Sequence, residues 1–137
     1  MIFSGNVNIS VIKQGPLHKT KLLENGKKQR KNWNVAHIVL TDTFLLFFKD
    51  AKSFANLQSG NNSKPDFCID LKGAIVDWCS SDKSKRSNVF EVSSAILGNY
   101  IKNIWLIDFL FFICVKYRII NKMNHNNLFR HNCFTPR

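Results

Sequence analysis

Six short segments rich in β-branched and aromatic residues constrain the fold of this chain most. They lie between residues 11 and 94, are separated by polar turns, and have no helical period between them. The clearest pair is formed by the apolar runs 37–40 and 44–48, which flank a three-residue polar turn. Short strands without intervening helices favour an antiparallel barrel or sandwich over a parallel α/β fold. We therefore predict a mainly β domain of about six to seven strands, with its function carried by loops.

The length of the chain and a change in its composition define the predicted domain organisation. The chain has 137 residues, which corresponds to a single core. Beyond Ala95, Ile, Asn, Phe, Lys and Tyr dominate without a clean period, so we expect a divergent tail over residues 95–137. An apolar helix at about 100–118, followed by disorder, is the expected structure of that tail. Lys102, Asp108 and Lys116 interrupt its apolar run, which argues against a membrane span.

An excess of basic residues points to polyanionic partners. Twenty Lys and Arg against nine Asp and Glu give a net charge of +11, which suits lipid head groups, nucleic acid or acidic protein surfaces. The densest basic cluster surrounds the first predicted hairpin turn and comprises Lys19, Lys21, Lys27, Lys28, Arg30 and Lys31. Alternation along a strand places Lys19 and Lys21 on one face, where loop cations can join them around a phosphate group. A solvated loop kept soluble by lysines is the competing interpretation.

A smaller basic cluster, formed by Lys83, Lys85 and Arg86, either lines the same rim or keeps a loop hydrated.

Catalytic motifs are absent from the sequence, since no GxSxG, P-loop, HExxH or GxGxxG occurs. The four cysteines have no CxxC spacing and the histidines have no ligand spacing, so we expect reduced thiols and neither a metal nor a cofactor. We predict a binding protein and not an enzyme. The N-terminus has no secretory pattern, which favours a cytoplasmic location.

Several motifs, taken in order, resemble the pleckstrin homology (PH) domain family. They are Gly15-x-Leu17-x-Lys19, the basic loop that follows, IVLTD at 38–42, LLFFK at 45–49 and NVFEV at 88–92. The match covers roughly residues 10–94. ENGKK at 24–28 and RKNW at 30–33 more narrowly resemble the PH domain that precedes the catalytic domain in Rho GTPase-activating proteins.

This resemblance implies a seven-stranded bent barrel that is closed at one end by a C-terminal helix and binds phosphoinositides at the open end. In that arrangement Lys19 contacts head-group phosphates. Two positions depart from the usual lipid motif: Ala36 replaces the basic residue of the second strand, and Phe47 replaces the Tyr of the third. We therefore expect the longer basic loop to compensate, through Lys27, Lys28, Arg30 and Lys31, either over the usual pocket or on its other side.

The family's last strand and helix are not recognisable after Ser94, so residues 10–94 are predicted to form an incomplete PH-type domain without the catalytic GTPase-activating domain. The resemblance implies a phosphoinositide-binding module of a Rho GTPase-activating protein, which regulates small GTPase signalling in the parent family. Its expected partners are a phosphoinositide-containing membrane and a small GTPase or signalling protein. We expect a monomer at the cytoplasmic membrane periphery, with no specific nucleic acid. The alternatives are a protein-interaction scaffold without specific lipid binding, and non-specific nucleic-acid binding through charge.

Overall fold

Eight strands and two helices make up the described part of the chain. The structure is a computed structural model that describes residues 9–79, 85–96 and 99–127. Its elements in chain order are β1 (Val11–Glu24), β2 (Lys27–Lys28), β3 (Asn34–Thr41), β4 (Phe44–Phe48), α1 (Ala51–Gln58), β5 (Phe67–Asp70), β6 (Ile75–Trp78), β7 (Val89–Ile96), β8 (Asn99–Ile107) and α2 (Phe109–Asn127).

All of the strands belong to one antiparallel sheet whose central strand is β1. The strand order is β5-β4-β3-β1-β8-β7-β6, with β2 paired to the end of β1. β1 pairs with β3 along its first part and with β8 along its second part, so it takes part in both halves of the sheet. β5 and β6 occupy the two edges, and the sheet is therefore not closed. The prediction of a mainly β fold with a C-terminal helix is confirmed.

A tight turn joins β1 to β2 at the tip of the first hairpin. Glu24 pairs with Lys27, which leaves Asn25 and Gly26 as the two turn residues. Their φ angles of 52° and 80° are both positive, as a two-residue type I′ turn requires. Asn and Gly adopt this conformation at low cost, so the sequence itself specifies the position of the hairpin tip.

Two hydrophobic clusters lie on opposite faces of the β3–β4 hairpin because successive side chains of a strand alternate. The larger cluster fills the inside of the bent sheet and includes Ile38, Leu40, Leu45, Phe47, Ile69, Phe90, Ile104, Leu106, Phe111, Phe112, Val115 and Ile119. The smaller cluster consists of α1 residues Phe54 and Leu57 packed against Val39, Leu46 and Phe48. Each large apolar side chain buried in this way contributes about 1.5 to 3 kcal/mol.

The expectation of a helix at about 100–118 is wrong for its first part. Residues 99–107 form β8, which pairs with both β1 and β7 and buries Ile104 and Leu106 in the core. Asp108 then begins α2, because its Oδ1 accepts a hydrogen bond from the amide of Phe111 at 2.9 Å. The carboxylate that interrupts the apolar run is thus a helix N-cap.

β8 and α2 occupy the places of the last strand and helix that the sequence did not reveal, so the described fold continues well beyond residue 94. The expected disorder after residue 120 is not found up to Asn127, where α2 ends, and residues 128–137 lie outside the described part of the chain. None of the helices in the described ranges is long and apolar enough to span a membrane.

Candidate anion-binding mouth

The inward side chains at the end of β1 are two lysines. Lys19 pairs with Asn34 of β3 and with Leu106 of β8, and Lys21 pairs with Ile104. Thr20 lies between them on the opposite face, where it is fully buried and its Oγ1 accepts a hydrogen bond from the amide of Asn32 at 2.7 Å. This hydrogen bond fastens the loop between β2 and β3 beside the two lysines.

Lys19 and Lys21 line two adjoining depressions at the open end of the sheet. The first is a cleft of about 260 Å³ lined by Lys19, Lys21, Asn34, Val35, Ala36, Phe47, Phe48, Lys49, Asp66 and Phe67. The second has a volume of about 210 Å³ and is lined by Lys19, Lys21, Gln29, Arg30, Asn32 and Asn34. We refer to the two depressions together as the basic mouth. It brings together four cations and one carboxylate, Asp66.

The positive charges of the basic mouth are only partly neutralised by nearby carboxylates. Burial, followed by repulsion from Lys21, holds the pKa of Lys19 below its usual value of 10.5, while Asp66 and Glu24 act in the opposite direction. The Lys21 ammonium lies 3.3 Å from Glu24 Oε1 and 4.8 Å from the centroid of the Phe67 ring. A phosphate bound between the lysines would reduce their mutual repulsion.

A fourth lysine, Lys102 of β8, lies close to the basic mouth. The Lys102 ammonium lies 5.2 Å from the centroid of the Phe67 ring and donates a hydrogen bond of 2.5 Å to the carbonyl of Cys68. The same aromatic ring therefore contacts the ammonium groups of both Lys21 and Lys102, each of which is attracted by its π-electrons. Lys102 also lines a neighbouring depression of about 190 Å³, together with Lys64, Asp66 and others.

The six predicted site residues do not all meet in one place. Lys19, Lys21 and Arg30 line the basic mouth. Lys27 and Lys28 form the exposed strand β2 at the hairpin tip and are not among the residues that line the mouth. Lys31 points to the outer face of the sheet, where its ammonium lies 4.9 Å from the centroid of the Trp105 ring.

The outer face carries a separate aromatic and cationic cluster. The rings of Trp33 and Trp105 are 6.4 Å apart, and the Arg86 guanidinium lies 4.8 Å from the centroid of the Trp33 ring. Trp105 Nε1 donates to Glu91 Oε1 at 3.2 Å, which fixes the indole in place. Arg86, from the second predicted basic cluster, thus joins Lys31 on this face and does not line the mouth, whereas Lys83 lies outside the described residues.

Two cations of this region, Lys49 and Lys102, were not predicted as site residues. The pairing of His37 with Phe48 places Lys49, the next residue, near the end of β3 at which Asn34 lies. A prediction from the β3–β4 hairpin register could therefore have included Lys49. Ala36 and Phe47 do line the mouth, where they provide an apolar floor in place of a cation and a hydroxyl.

Among the described residues, no group of three or more His, Cys, Asp or Glu is placed to hold a metal ion.

The bent antiparallel sheet with a C-terminal helix, open at a basic end, defines the class of protein. The family model "PH domain" matches residues 11–113, which is most of the chain and includes both β8 and the start of α2. The chain belongs to the PH domain family.

Within that family, the chain is similar to the PH regions of Rho GTPase-activating proteins. It is 48% identical over 82 residues to human (Homo sapiens) Rho GTPase-activating protein 12, covering 60% of this chain and 10% of the relative. It is 43% identical over 102 residues to chicken (Gallus gallus) Rho GTPase-activating protein 15, covering 73% and 20%, respectively. The crystal structure of the ArhGAP27 PH domain superimposes with a TM-score of 0.60 at 29% identity, covering 78% of this chain and 97% of that domain. The chain thus spans between a tenth and a fifth of the length of these two curated relatives.

Proposed function

We propose that the basic mouth binds the phosphorylated head groups of phosphoinositides and thereby holds the chain at an anionic membrane. One observation carries this proposal: Lys19 and Lys21 line both depressions of the basic mouth, where Lys49 joins them in the first and Arg30 in the second, and Asp66 is the one acid among the lining residues. Each Lys–phosphate or Arg–phosphate contact is a charge-assisted hydrogen bond worth about 1.5 to 3 kcal/mol. Several such contacts on one head group provide both affinity and a preference for multiply phosphorylated rings.

The predicted site residues have different roles in this proposal. Lys19, Lys21 and Arg30 contact phosphates directly, with Lys49 added by the geometry of the cleft. Lys27 and Lys28 project from the exposed hairpin tip, where they attract the anionic bilayer surface around the head group. Lys31 lies over Trp105 on the outer face, away from the mouth. In this proposal it serves only a second phosphate-binding position, on the outer side of the loop that precedes β3.

As part of a longer protein, such a module would recruit a Rho GTPase-activating domain to the cytoplasmic surface of a membrane, where small GTPases signal. Support for this role comes from the similarity to the PH regions of Rho GTPase-activating proteins. Recruitment confines an enzyme to the plane of its substrate and raises the effective concentration at which the two meet. The module itself provides binding and not catalysis.

Flotation with liposomes tests the proposal. Liposomes that contain phosphatidylinositol 4,5-bisphosphate are compared with phosphatidylserine liposomes matched for surface charge, at physiological salt. We expect the Lys19→Met/Lys21→Met variant to lose phosphoinositide binding by about tenfold or more, because two charge-assisted contacts disappear. The matched control is Lys52→Met/Lys72→Met, which removes the same charge from exposed positions on α1 and the β5–β6 turn. Equal losses for both variants would mean that the mouth contributes only non-specific electrostatic attraction to the membrane.

A protein-interaction scaffold without specific lipid binding is the second candidate function. It is favoured by the apolar floor of the mouth, where Ala36 and Phe47 replace the cation and hydroxyl of the usual lipid motif. In that case phosphoinositide and phosphatidylserine liposomes bind equally. Non-specific nucleic-acid binding, the third possibility, predicts affinity for any DNA duplex that falls steeply with salt.

A further inference from the structure

The outer side of α2 carries a continuous row of exposed apolar side chains, which we call the α2 ridge. Its members are between 43% and 66% exposed and are Phe109, Leu110, Ile113, Tyr117 and Ile120. The opposite side of the helix, formed by Phe111, Phe112, Val115 and Ile119, is buried in the core. A helix that only covers a core presents a polar outer side, so an apolar ridge of this length marks a docking surface.

The ridge is rigidly attached to the sheet and extends beyond the helix. Phe109 stacks on Trp78 of β6 with ring centroids 5.8 Å apart, and this partly exposed indole continues the apolar surface. Arg118 forms an ion pair with Asp42 in the β3–β4 turn, which ties the middle of α2 to the sheet. A partner would therefore meet a preformed surface and pay little conformational entropy to order it.

The spacing of the ridge fits another helix. Leu110, Ile113, Tyr117 and Ile120 follow one another at intervals of three, four and three residues. This is the spacing of the a and d positions of a heptad, whose side chains insert between those of a facing helix.

The charge around the ridge selects an acidic partner over a second copy of this chain. The sequence of α2 contains no Asp or Glu, and Lys116, which immediately precedes Tyr117, adds a positive charge at the ridge, whereas the Arg118 guanidinium is already paired with Asp42. Two copies, each with a net charge of +11, would repel one another across the ridge. We propose that the α2 ridge docks an amphipathic helix of a partner protein, whose apolar seam is flanked by Asp and Glu side chains.

Such a partner leaves the basic mouth open. On β1, the Lys13 ammonium lies 5.5 Å from the centroid of the Phe111 ring of α2, whereas Lys21 lines the mouth. Lys13 and Lys21 are eight positions apart, a separation of up to about 26 Å along an extended strand. One molecule can therefore hold a membrane at one end and a helix at the other.

The test uses fluorescence anisotropy with a labelled synthetic helix of three heptads, with Leu at a and d and Glu at e and g. Its counterpart carries Lys at e and g. We expect the Glu helix to bind at least about tenfold more tightly than the Lys helix. The variant Ile113→Ser/Tyr117→Ser should weaken binding by about tenfold or more, because it removes the centre of the seam. The matched control Ile75→Ser changes a residue that is 56% exposed on β6, and it should change binding by less than about twofold.

Three results would overturn the proposal. Equal binding of the Glu and Lys helices would reduce the ridge to a non-specific apolar patch. Sedimentation equilibrium that shows a dimer of the wild-type chain, lost in Ile113→Ser/Tyr117→Ser, would assign the ridge to a second copy. Flotation with phosphatidylserine liposomes that depends on Ile113 and Tyr117 would assign it to a lipid surface. Near-ultraviolet circular dichroism that is unchanged in both variants ensures that any loss reflects the ridge and not unfolding.

Discussion

Lys19 is the residue at which binding and stability are expected to oppose each other. Its charge is partly buried beside Lys21, so the folded state holds its proton less tightly than the unfolded state does, as the lowered pKa indicates. We predict that Lys19→Met weakens phosphoinositide binding but raises the free energy of unfolding at neutral pH. The gain should shrink as the pH rises towards 10.5, because wild-type Lys19 then loses its proton in the folded state first. Urea unfolding at several pH values measures this, with Lys72→Met as the exposed control. A destabilised Lys19→Met at neutral pH would contradict it.

His37 supplies a pH dependence that has nothing to do with the mouth. It is buried in β3, where its Nε2 forms a 2.8 Å hydrogen bond with Gln14 Oε1. Burial lowers the pKa of His37 from 6.5, against a smaller opposing effect of Asp50. Because the unfolded state then binds the proton more readily, stability falls as the pH drops below 6.5.

We therefore expect the urea midpoint of the wild type to decrease between about pH 7.5 and about pH 5.5, and His37→Gln to flatten this decrease. Glutamine keeps a side-chain amide that can reach Gln14 but takes up no proton. The control variant is His18→Gln, which makes the same substitution at an exposed position of β1. A decrease of the same size in His37→Gln would assign the pH dependence to another group.

Some of the candidate site could be predicted residue by residue, because strand alternation is a local rule. It places Lys19 and Lys21 on one face, and the structure brings Arg30 to the same mouth. The position of Lys31 could not be predicted in this way. It depends on the Thr20–Asn32 hydrogen bond and on Trp105, a residue assigned to a helix until β8 is seen in the sheet.

At the scale of elements, local sequence predicts the hairpins, whereas the structure of β8 depends on its pairing within the sheet. The two central hairpins follow from turn residues and alternation, and both are found as expected. Residues 99–107 are apolar without a clear period, and such a run is compatible with either a strand or a buried helix. The choice is made by the unpaired backbone groups of β1 and β7, which β8 satisfies on both sides.

The contribution of α2 to the fold can be measured with two neighbouring phenylalanines that both stack on Trp78. Phe112 is 3% exposed, whereas Phe109 is 54% exposed. We predict that Phe112→Ala lowers the free energy of unfolding by about 3 to 5 kcal/mol, because it leaves a cavity in the core. Phe109→Ala should cost less than about 1 kcal/mol. Similar losses for the two variants in urea unfolding would mean that α2 is not packed as described.

At the scale of the whole molecule, positive charge attracts the chain to any polyanion, while the mouth provides selection. The net charge of +11 acts over about one Debye length and is screened by salt, whereas contacts inside a partly buried cleft are screened less. We therefore predict that raising the salt concentration from about 0.1 M to about 0.3 M reduces binding to phosphatidylserine liposomes more than binding to phosphoinositide liposomes. A parallel loss on both lipid surfaces would leave no role for the mouth.

The most direct test of the mouth is a titration of the ¹⁵N-labelled chain with soluble inositol 1,4,5-trisphosphate, followed by nuclear magnetic resonance. Phosphate binding in the mouth predicts saturable shifts of the amides of Lys19, Lys21, Asn34 and Lys49, which line the cleft. The indole resonances of Trp33 and Trp105 report on the outer face and should remain unchanged. Shifts centred on those two indoles, with the four mouth amides unmoved, would contradict the assignment and move the site to the outer face.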